Sequence, residues 1–320
     1  MDLEKRFSPG KGKKVGLLGV PLGFGAGTVG SELGTTAIRL AKFRGSRLIK
    51  HIESLGYEVV DHGDVDIVNP KYEAKPGENP KYLPEIVLSC QNMATDVKKI
   101  LDSDELPVIL GGDHSIATGT FSGVSSHFHE KDEEVGLIWF DAHADMNTPE
   151  TSPSGNTHGM PLATLMGDGE PKLVNLEGFA RKINPKYLAH IGVRDLDIGE
   201  KRYIHELGLR DNFFTMNDID EHGMLACVNK AIEIASGAKA GYAVTFDVDV
   251  MDPRYAPGSG TLVRGGINYR EAHLALEAIA LDDNMRSFEI VEVNPLLDQS
   301  NITAKLAGEL ILSALGNVIL

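Results

Sequence analysis

The stretch "VGLIWFDAHAD" (residues 135–145) runs apolar from Val135 to Phe140 and then turns abruptly to Asp141, His143 and Asp145 at alternate positions. A short, continuously apolar run is the pattern of a strand covered on both faces, as in a parallel sheet flanked by helices. In an extended chain, residues two apart share a face. The spacing therefore places two carboxylates and an imidazole side by side as they enter the interior. Buried charges in that arrangement need a counter-charge.

Seven more runs of this kind punctuate the chain. They are "VGLLGVP" (15–21), "YEVVDHGDV" (57–65), "LPVILGGDHS" (106–115), "LAHIGVRD" (188–195), "NFFTM" (212–216), "YAVTFDVDV" (242–250) and "SFEIVEVN" (287–294). Segments with apolar spacing near 3.6 lie between them, such as "PEIVLSCQNMATDVKKIL" (84–101) and "REAHLALEAIAL" (270–281). Strand–helix alternation predicts an α/β fold, an open and mostly parallel sheet with helices on both faces. No internal repeat or low-complexity segment interrupts it. The Pro-rich "NPKYEAKPGENPKY" (69–82) reads as a surface excursion rather than a linker. A single domain over 1–320 is expected, with a flexible basic tail over 1–14.

Composition narrows the partners. With 46 Asp and Glu against 31 Lys and Arg, the formal net charge is −15. That weighs against nucleic acid and anionic membranes and suits a small cationic substrate. Cys90 and Cys227 lie far apart, so no disulfide framework is expected and a reducing, cytoplasmic setting follows. No apolar run approaches the roughly 18 residues of a membrane span. The polar opening "MDLEKRFSPGKGKK" does not read as a secretory signal.

His114, Asp141, His143, Asp145, Asp195, Asp247, Asp249 and Glu292 all fall at or near the carboxyl end of an apolar run. In open α/β sheets that edge is where ligands bind. One acid closing a strand is ordinarily a turn former or a helix cap. Here Asp141, Asp145, Asp247 and Asp249 bring four carboxylates together with the imidazoles of His114 and His143, and two divalent cations would balance them. A donor set of oxygen and imidazole without thiolate favours Mn²⁺ or Mg²⁺ over structural zinc. No phosphate loop is present to assist magnesium, so manganese is the expected ion. Paired ions of this type activate a bridging water.

"GGDHS" (111–115), "DAHADMN" (141–147) and "FDVDVMDP" (246–253) resemble the three signature motifs of the ureohydrolases, the arginase–agmatinase family, and the resemblance spans essentially the whole chain. It implies a three-layer α/β/α sandwich around a parallel eight-stranded sheet. It also implies an amidinohydrolase with two Mn²⁺ per chain, in which a bridging hydroxide attacks a guanidinium carbon. By similarity Asp141 and Asp247 bridge the ions, His114 and Asp145 complete one shell, and His143 and Asp249 the other. Asp145 also orients the hydroxide and passes a proton to the leaving amine. Glu292 in "FEIVEVNP" holds the guanidinium, with Thr261 of "GSGTLV" nearby, and His158 of "SGNTHGMP" is the proton shuttle. A homo-oligomer, trimer or hexamer, is implied by resemblance alone.

The segment "NTPETSPSGN" resembles the arginase loop that reads the α-carboxylate, through Asn147, Ser152, Ser154 and Asn156. "RDLDIGE" (194–200) resembles the stretch whose acids, here Asp197 and Glu200, face the α-ammonium. L-arginine is thus expected over agmatine, with a bacterial-type arginase as the nearest pattern. Leu262 replaces a common proline, Ser152 a common threonine, and an Arg-Gly pair often found near "GFGAGTVG" is missing. Each departure sits at the pocket mouth and spares the ligands. The alternatives are an agmatinase or other guanidino-acid ureohydrolase, a metal-free binding relative, or another dinuclear hydrolase such as a phosphatase. All six ligands are present, and no cationic phosphate clamp is. "GAGTVG" (25–30) fits a dinucleotide fingerprint only formally, because Asp61 lies 31 residues past Gly30. A flexible loop at the pocket rim is the better reading.

Overall fold

The computed structural model describes residues 8–318. Its eight strands are β1 (Lys14–Gly19), β2 (Glu58–Asp64), β3 (Glu105–Leu110), β4 (Gly136–Phe140), β5 (Leu188–Ile191), β6 (Phe213–Phe214), β7 (Tyr242–Asp247) and β8 (Met285–Val291). They form one sheet in the order β2-β1-β3-β8-β7-β4-β5-β6. Every neighbouring pair is parallel, as the eight apolar runs predict.

The continuous apolarity of the central strands has its cause in two apolar layers. Ile138 and Phe140 of β4, with Val244 and Phe246 of β7, face the layer built with Val228, Leu276 and Leu310. Those three come from the helices Met224–Ala235, Tyr269–Asp282 and Ile302–Ala314. Leu137 and Trp139 of β4 point the other way, toward Met93, Val97, Phe121 and Val124. That second layer belongs to the helices Leu83–Asp102 and Ala117–His129. Each fully buried aromatic side chain removed from water contributes about 1.5–3 kcal/mol, so a polar substitution at Phe140 or Phe246 loses burial on a face with no exit to solvent.

The strands stop earlier than the sequence runs suggest, and this corrects the expected placement of the acids. β4 ends at Phe140, so Asp141, His143 and Asp145 are not alternate residues of one strand. Asp145 adopts a left-handed backbone, with φ 52°. The cause is local: Asp141 Oδ1 accepts the N–H of His143 at 2.7 Å, which turns the chain as soon as the ladder ends. The same device recurs twice. Asp247 Oδ1 takes the N–H of Asp249 at 2.8 Å and opens the one-turn helix Val248–Val250. Asp113 Oδ1 takes the N–H of Ser115 at 3.0 Å and opens the turn His114–Ile116. The adjacent strands β4 and β7, and β3 on the far side of β8, are thus followed by the same aspartate-closed turn.

Between β3 and its turn stands "GG". A methyl group on Gly112 would lie 1.8 Å from the Leu22 carbonyl oxygen, a backbone atom that cannot step aside. Gly112→Ala is therefore expected to cost at least about 3 kcal/mol, read as a lowered denaturant midpoint. An unchanged midpoint would show that the β1 and β3 loops can separate at no cost.

The Gly10 N–H donates to the Leu55 carbonyl at 3.0 Å and Lys14 already belongs to β1. The part of the expected tail from Ser8 onward is therefore held to the body, and residues 1–7 of it lie outside the described residues.

Candidate metal centre

The three turns bring the acids and histidines of β3, β4 and β7 to one place. His114 Nδ1 lies 2.9 Å from Asp141 Oδ2, 3.1 Å from Asp145 Oδ2 and 3.2 Å from Asp247 Oδ2. His143 Nδ1 lies 3.1 Å from Asp249 Oδ2 and 3.4 Å from Asp141 Oδ1. Two ligand groups result among the described residues, His114–Asp141–Asp145 and Asp141–His143–Asp249, each with its donor atoms within 4.8 Å of one another. Asp141 belongs to both and turns one oxygen to each histidine. Asp247 approaches the first group through Oδ2, while its Oδ1 is occupied by the Asp249 N–H.

The donors fit a hard divalent cation. His114 Nδ1 and Asp145 Oδ2 are buried and have no hydrogen-bond partner, although each lies within contact distance of the other's group. Buried polar atoms are rarely left so unless something else binds them. The tautomer of His114 is arranged for this. Its Nε2 is 3.0 Å from Thr245 Oγ1, and the Thr245 hydroxyl donates onward to Glu289 Oε1 at 2.9 Å. A hydroxyl that spends its proton on Glu289 must accept from the ring, so Nε2 carries hydrogen and Nδ1 keeps the free position.

The protonation pattern is that of a cation-binding cluster holding protons. Burial alone would lower His114, but the surrounding Asp141, Asp145 and Asp247 hold its pKa well above the ordinary value. Burial likewise opposes charge on His143, and Asp249 and Asp141 reverse it, raising the ring well above normal. Burial and then Asp141 lift Asp145 to about 6. Burial, Asp249 and Asp141 push Asp247 well above the carboxylate range. Asp141 goes the other way: burial would raise it, yet His114 and His143 hold it well below.

A cavity of about 130 Å³ opens over these groups. His114, His143, Asp145 and Asp247 form its floor, and Asp141 and Asp249 lie beneath. Asn147, Ser152, Ser154, Asn156, His158, Asp197, Glu200 and Thr261 complete its walls, so the loop and acid residues expected at the site converge on it. Several have structural partners as well. Thr261 Oγ1 donates to Asp249 Oδ2 at 2.8 Å, and Asn147 Nδ2 donates to Asp197 Oδ2 at 2.9 Å. The two serine hydroxyls accept turn N–H groups from Gly155 and Asn156. Glu200 accepts the N–H groups of Asp197 and Met146 at 2.8 and 3.0 Å, capping the helix Ile198–Glu206, and burial lifts its pKa to about 7. Glu292 is not among the wall residues. Its Oε1 accepts the His114 N–H at 2.9 Å and lies 3.1 Å from His158 Nδ1. Burial would lower His158, but Glu292, then Asp113 and Asp145, carry it to about 9.

The sequence profile described as the arginase family matches residues 13–316. The chain belongs to the arginase family. An arginase from Bacillus subtilis (strain 168) is 43% identical over 308 residues, which span 96% of this chain and 99% of that protein. The crystal structure of the Bacillus caldovelox arginase matches with a TM-score of 0.89 at 39% identity, covering 96% of this chain and 100% of that one. An Entamoeba histolytica arginase solved in complex with L-ornithine matches at TM-score 0.85 and 31% identity, covering 95% and 99%. The sheet and its flanking helices are the arginase fold, and the chain is a hydrolase acting on C–N bonds of linear amidines.

Some residues of this arginase site carry no sequence signal of their own. Trp139 stacks on His114 at 4.3 Å between ring centres and donates its Nε1–H to Asp141 Oδ2 at 3.0 Å. Thr245 and Glu289 look like interior strand residues until the neighbouring strand is known. Arg194 gathers the carbonyls of Asp249, Val250 and Val263 at 2.7–3.0 Å, tying the turn of β7 to the loop that carries Thr261. The "GAGTVG" loop serves the same edge: the Ala26 N–H donates to Asp113 Oδ2 and the His158 N–H to the Gly25 carbonyl.

Proposed function

We propose that this chain hydrolyses the guanidinium group of L-arginine to L-ornithine and urea with two Mn²⁺ ions bound. The observation that carries the reading is Asp141, whose two oxygens each face a different histidine-containing ligand group. His114, Asp145, Asp141 and Asp247 would hold one ion, and His143, Asp249 and the shared Asp141 and Asp247 the other. Manganese rather than zinc is favoured by the oxygen-rich donors, and both cysteines, Cys90 and Cys227, are buried in helices and belong to neither ligand group. When bound, such ions make hydroxide available from water near neutral pH.

The chain's own groups do the rest. Asp145, at the floor of the cavity, accepts a proton from the nucleophile and delivers it toward the leaving nitrogen. His158 exchanges protons with solvent, its ring held by Glu292 Oε1. Glu292, behind His158 and outside the cavity lining, is the carboxylate for the guanidinium once its free oxygen turns into the cavity, and Thr261 steadies Asp249. Asn147, Ser152, Ser154 and Asn156 meet the α-carboxylate, and Asp197 and Glu200 the α-ammonium. The ornithine-bound relative supports a substrate of amino-acid form. A homo-oligomer, trimer or hexamer, and a cytoplasmic setting complete the reading. No helix among the described residues is long and apolar enough to cross a membrane.

Urea release from L-arginine and from agmatine, measured after Mn²⁺ loading and after chelation, tests this. Arginine turnover that vanishes on chelation and returns with Mn²⁺ is expected. Turnover of agmatine alone would overturn the substrate, and metal-independent turnover would overturn the metal role.

A further inference from the structure

The Pro-rich excursion at 69–82 does not stand free of the site. Its last residues close over the loop 148–156. The Lys81 N–H donates to the Gly155 carbonyl at 2.9 Å, and Asn79 Nδ2 donates to the Pro149 carbonyl at 2.6 Å. Gly155 has φ +72°, and a methyl group there would come within 2.7 Å of the Glu78 carbonyl oxygen, so the two segments meet backbone to backbone. Lys81 Nζ then reaches Asn156 Oδ1 at 2.8 Å.

That last contact decides which end of the Asn156 amide is free. A lysine ammonium only donates, so it takes the amide oxygen. The Nδ2 group, with its two hydrogens, is left on the opposite branch beside Gly27 of the "GAGTVG" loop, and Asn156 is a wall residue of the cavity. Donors are what a carboxylate needs, and a cation one bond behind the donor strengthens the attraction. Without Lys81 the amide could turn its oxygen inward and repel a carboxylate. In a chain of net charge −15, with Asp197 and Glu200 lining the same cavity, a local positive charge also offsets an unfavourable field.

We propose that Lys81 is a specificity-determining positioning residue: it holds the Asn156 amide with its donors toward the cavity and so selects guanidino substrates that end in a carboxylate. The proposal rests on L-arginine as the substrate. It assigns a role to a segment outside the ligand motifs, and to a residue that touches the substrate only through another.

The test uses the full, Mn²⁺-loaded chain, with L-arginine as substrate and agmatine as competitor. Lys81→Met is expected to raise KM for L-arginine roughly five- to tenfold with kcat within about twofold, and to leave the inhibition constant of agmatine unchanged. Lys81→Arg keeps the donor and the charge and is expected to restore most of the lost affinity. An unchanged KM for arginine overturns the proposal. So does a parallel rise for arginine and agmatine, which would make Lys81 a support of the loop alone. If the wild-type chain releases no urea from arginine, the substrate reading fails and takes this proposal with it. If it does release urea, any failure belongs to Lys81.

Discussion

Asp141→Asn is expected to lower kcat/KM for urea release by on the order of 10³-fold, about 4 kcal/mol of transition-state stabilisation, in a chain that still folds. The side chain keeps its size, and one of its branches can still serve Trp139 or the His143 N–H. What it loses is a second anionic oxygen. Among the described residues Asp141 belongs to both ligand groups, so an amide nitrogen on either branch would face an ion it cannot bind. Metal content by equilibrium dialysis should fall below two ions per chain in parallel with activity. Near-normal turnover with two ions retained would remove Asp141 from its bridging role.

Adding Mn²⁺ to the metal-free protein is expected to raise Tm by roughly 5–10 °C at pH 8.5 and by clearly less at pH 6.5. The direction follows from the protons the cluster holds. His114 and His143 titrate above their unfolded value, and Asp145, at about 6, and Asp247 titrate above theirs. The raised histidines lend stability that is complete below about pH 6.5, their unfolded value, and fades as pH climbs toward their folded values. The raised carboxylates lose stability from their unfolded value of about 3.9 up to their folded one, so the cost from Asp145 is nearly complete near pH 6 and that from Asp247 continues higher. Asp141 has a lowered value, so its contribution is constant above pH 6 and is lost only in strong acid. The metal-free fold therefore weakens from pH 6.5 to 8.5. A cation that replaces those protons competes with them less at the higher pH, and its stabilisation grows. Differential scanning at the two pH values, with and without Mn²⁺, reads the difference directly. An equal gain at both, or a larger gain at pH 6.5, would mean that the histidines do not surrender protons to the ion.

The sheet was legible in the sequence because its strands are buried on both faces. "VGLIWF" and "YAVTF" can be little else once helical periodicity is found on either side. The clustering of these residues was legible because acids and histidines at the ends of such runs have no cheap structural explanation as a group. Their local geometry was not. The alternation in "DAHAD" reads as a strand, whereas Asp141 spends one oxygen on the His143 N–H and folds the chain into a turn. A pattern of residue types does not reveal that a side chain competes with the ladder. Long-range pairing was also hidden. Glu292 meets the His114 N–H across 178 positions, and Glu200 proves to cap a helix as much as to wall the cavity. The role of residues 78–81 depends on a contact with residues some 70 positions away.

The order of the strands has a consequence for how the enzyme comes into being. β2, β1 and β3 form one three-stranded block and β4, β5 and β6 another, and within the sheet the two are joined only through β8 and β7, which are made last. The candidate metal centre lies across that seam. His114 belongs to the first block, Asp141, His143 and Asp145 to the second, and Asp247 and Asp249 arrive with the stitching strand. Until β7 and β8 are made, the two half-sheets have bare inner edges and the cluster lacks Asp247 and Asp249. Asp247 and Asp249 join the cluster as β7 closes the sheet, so a cation bound there would also clasp the two blocks of the finished molecule together.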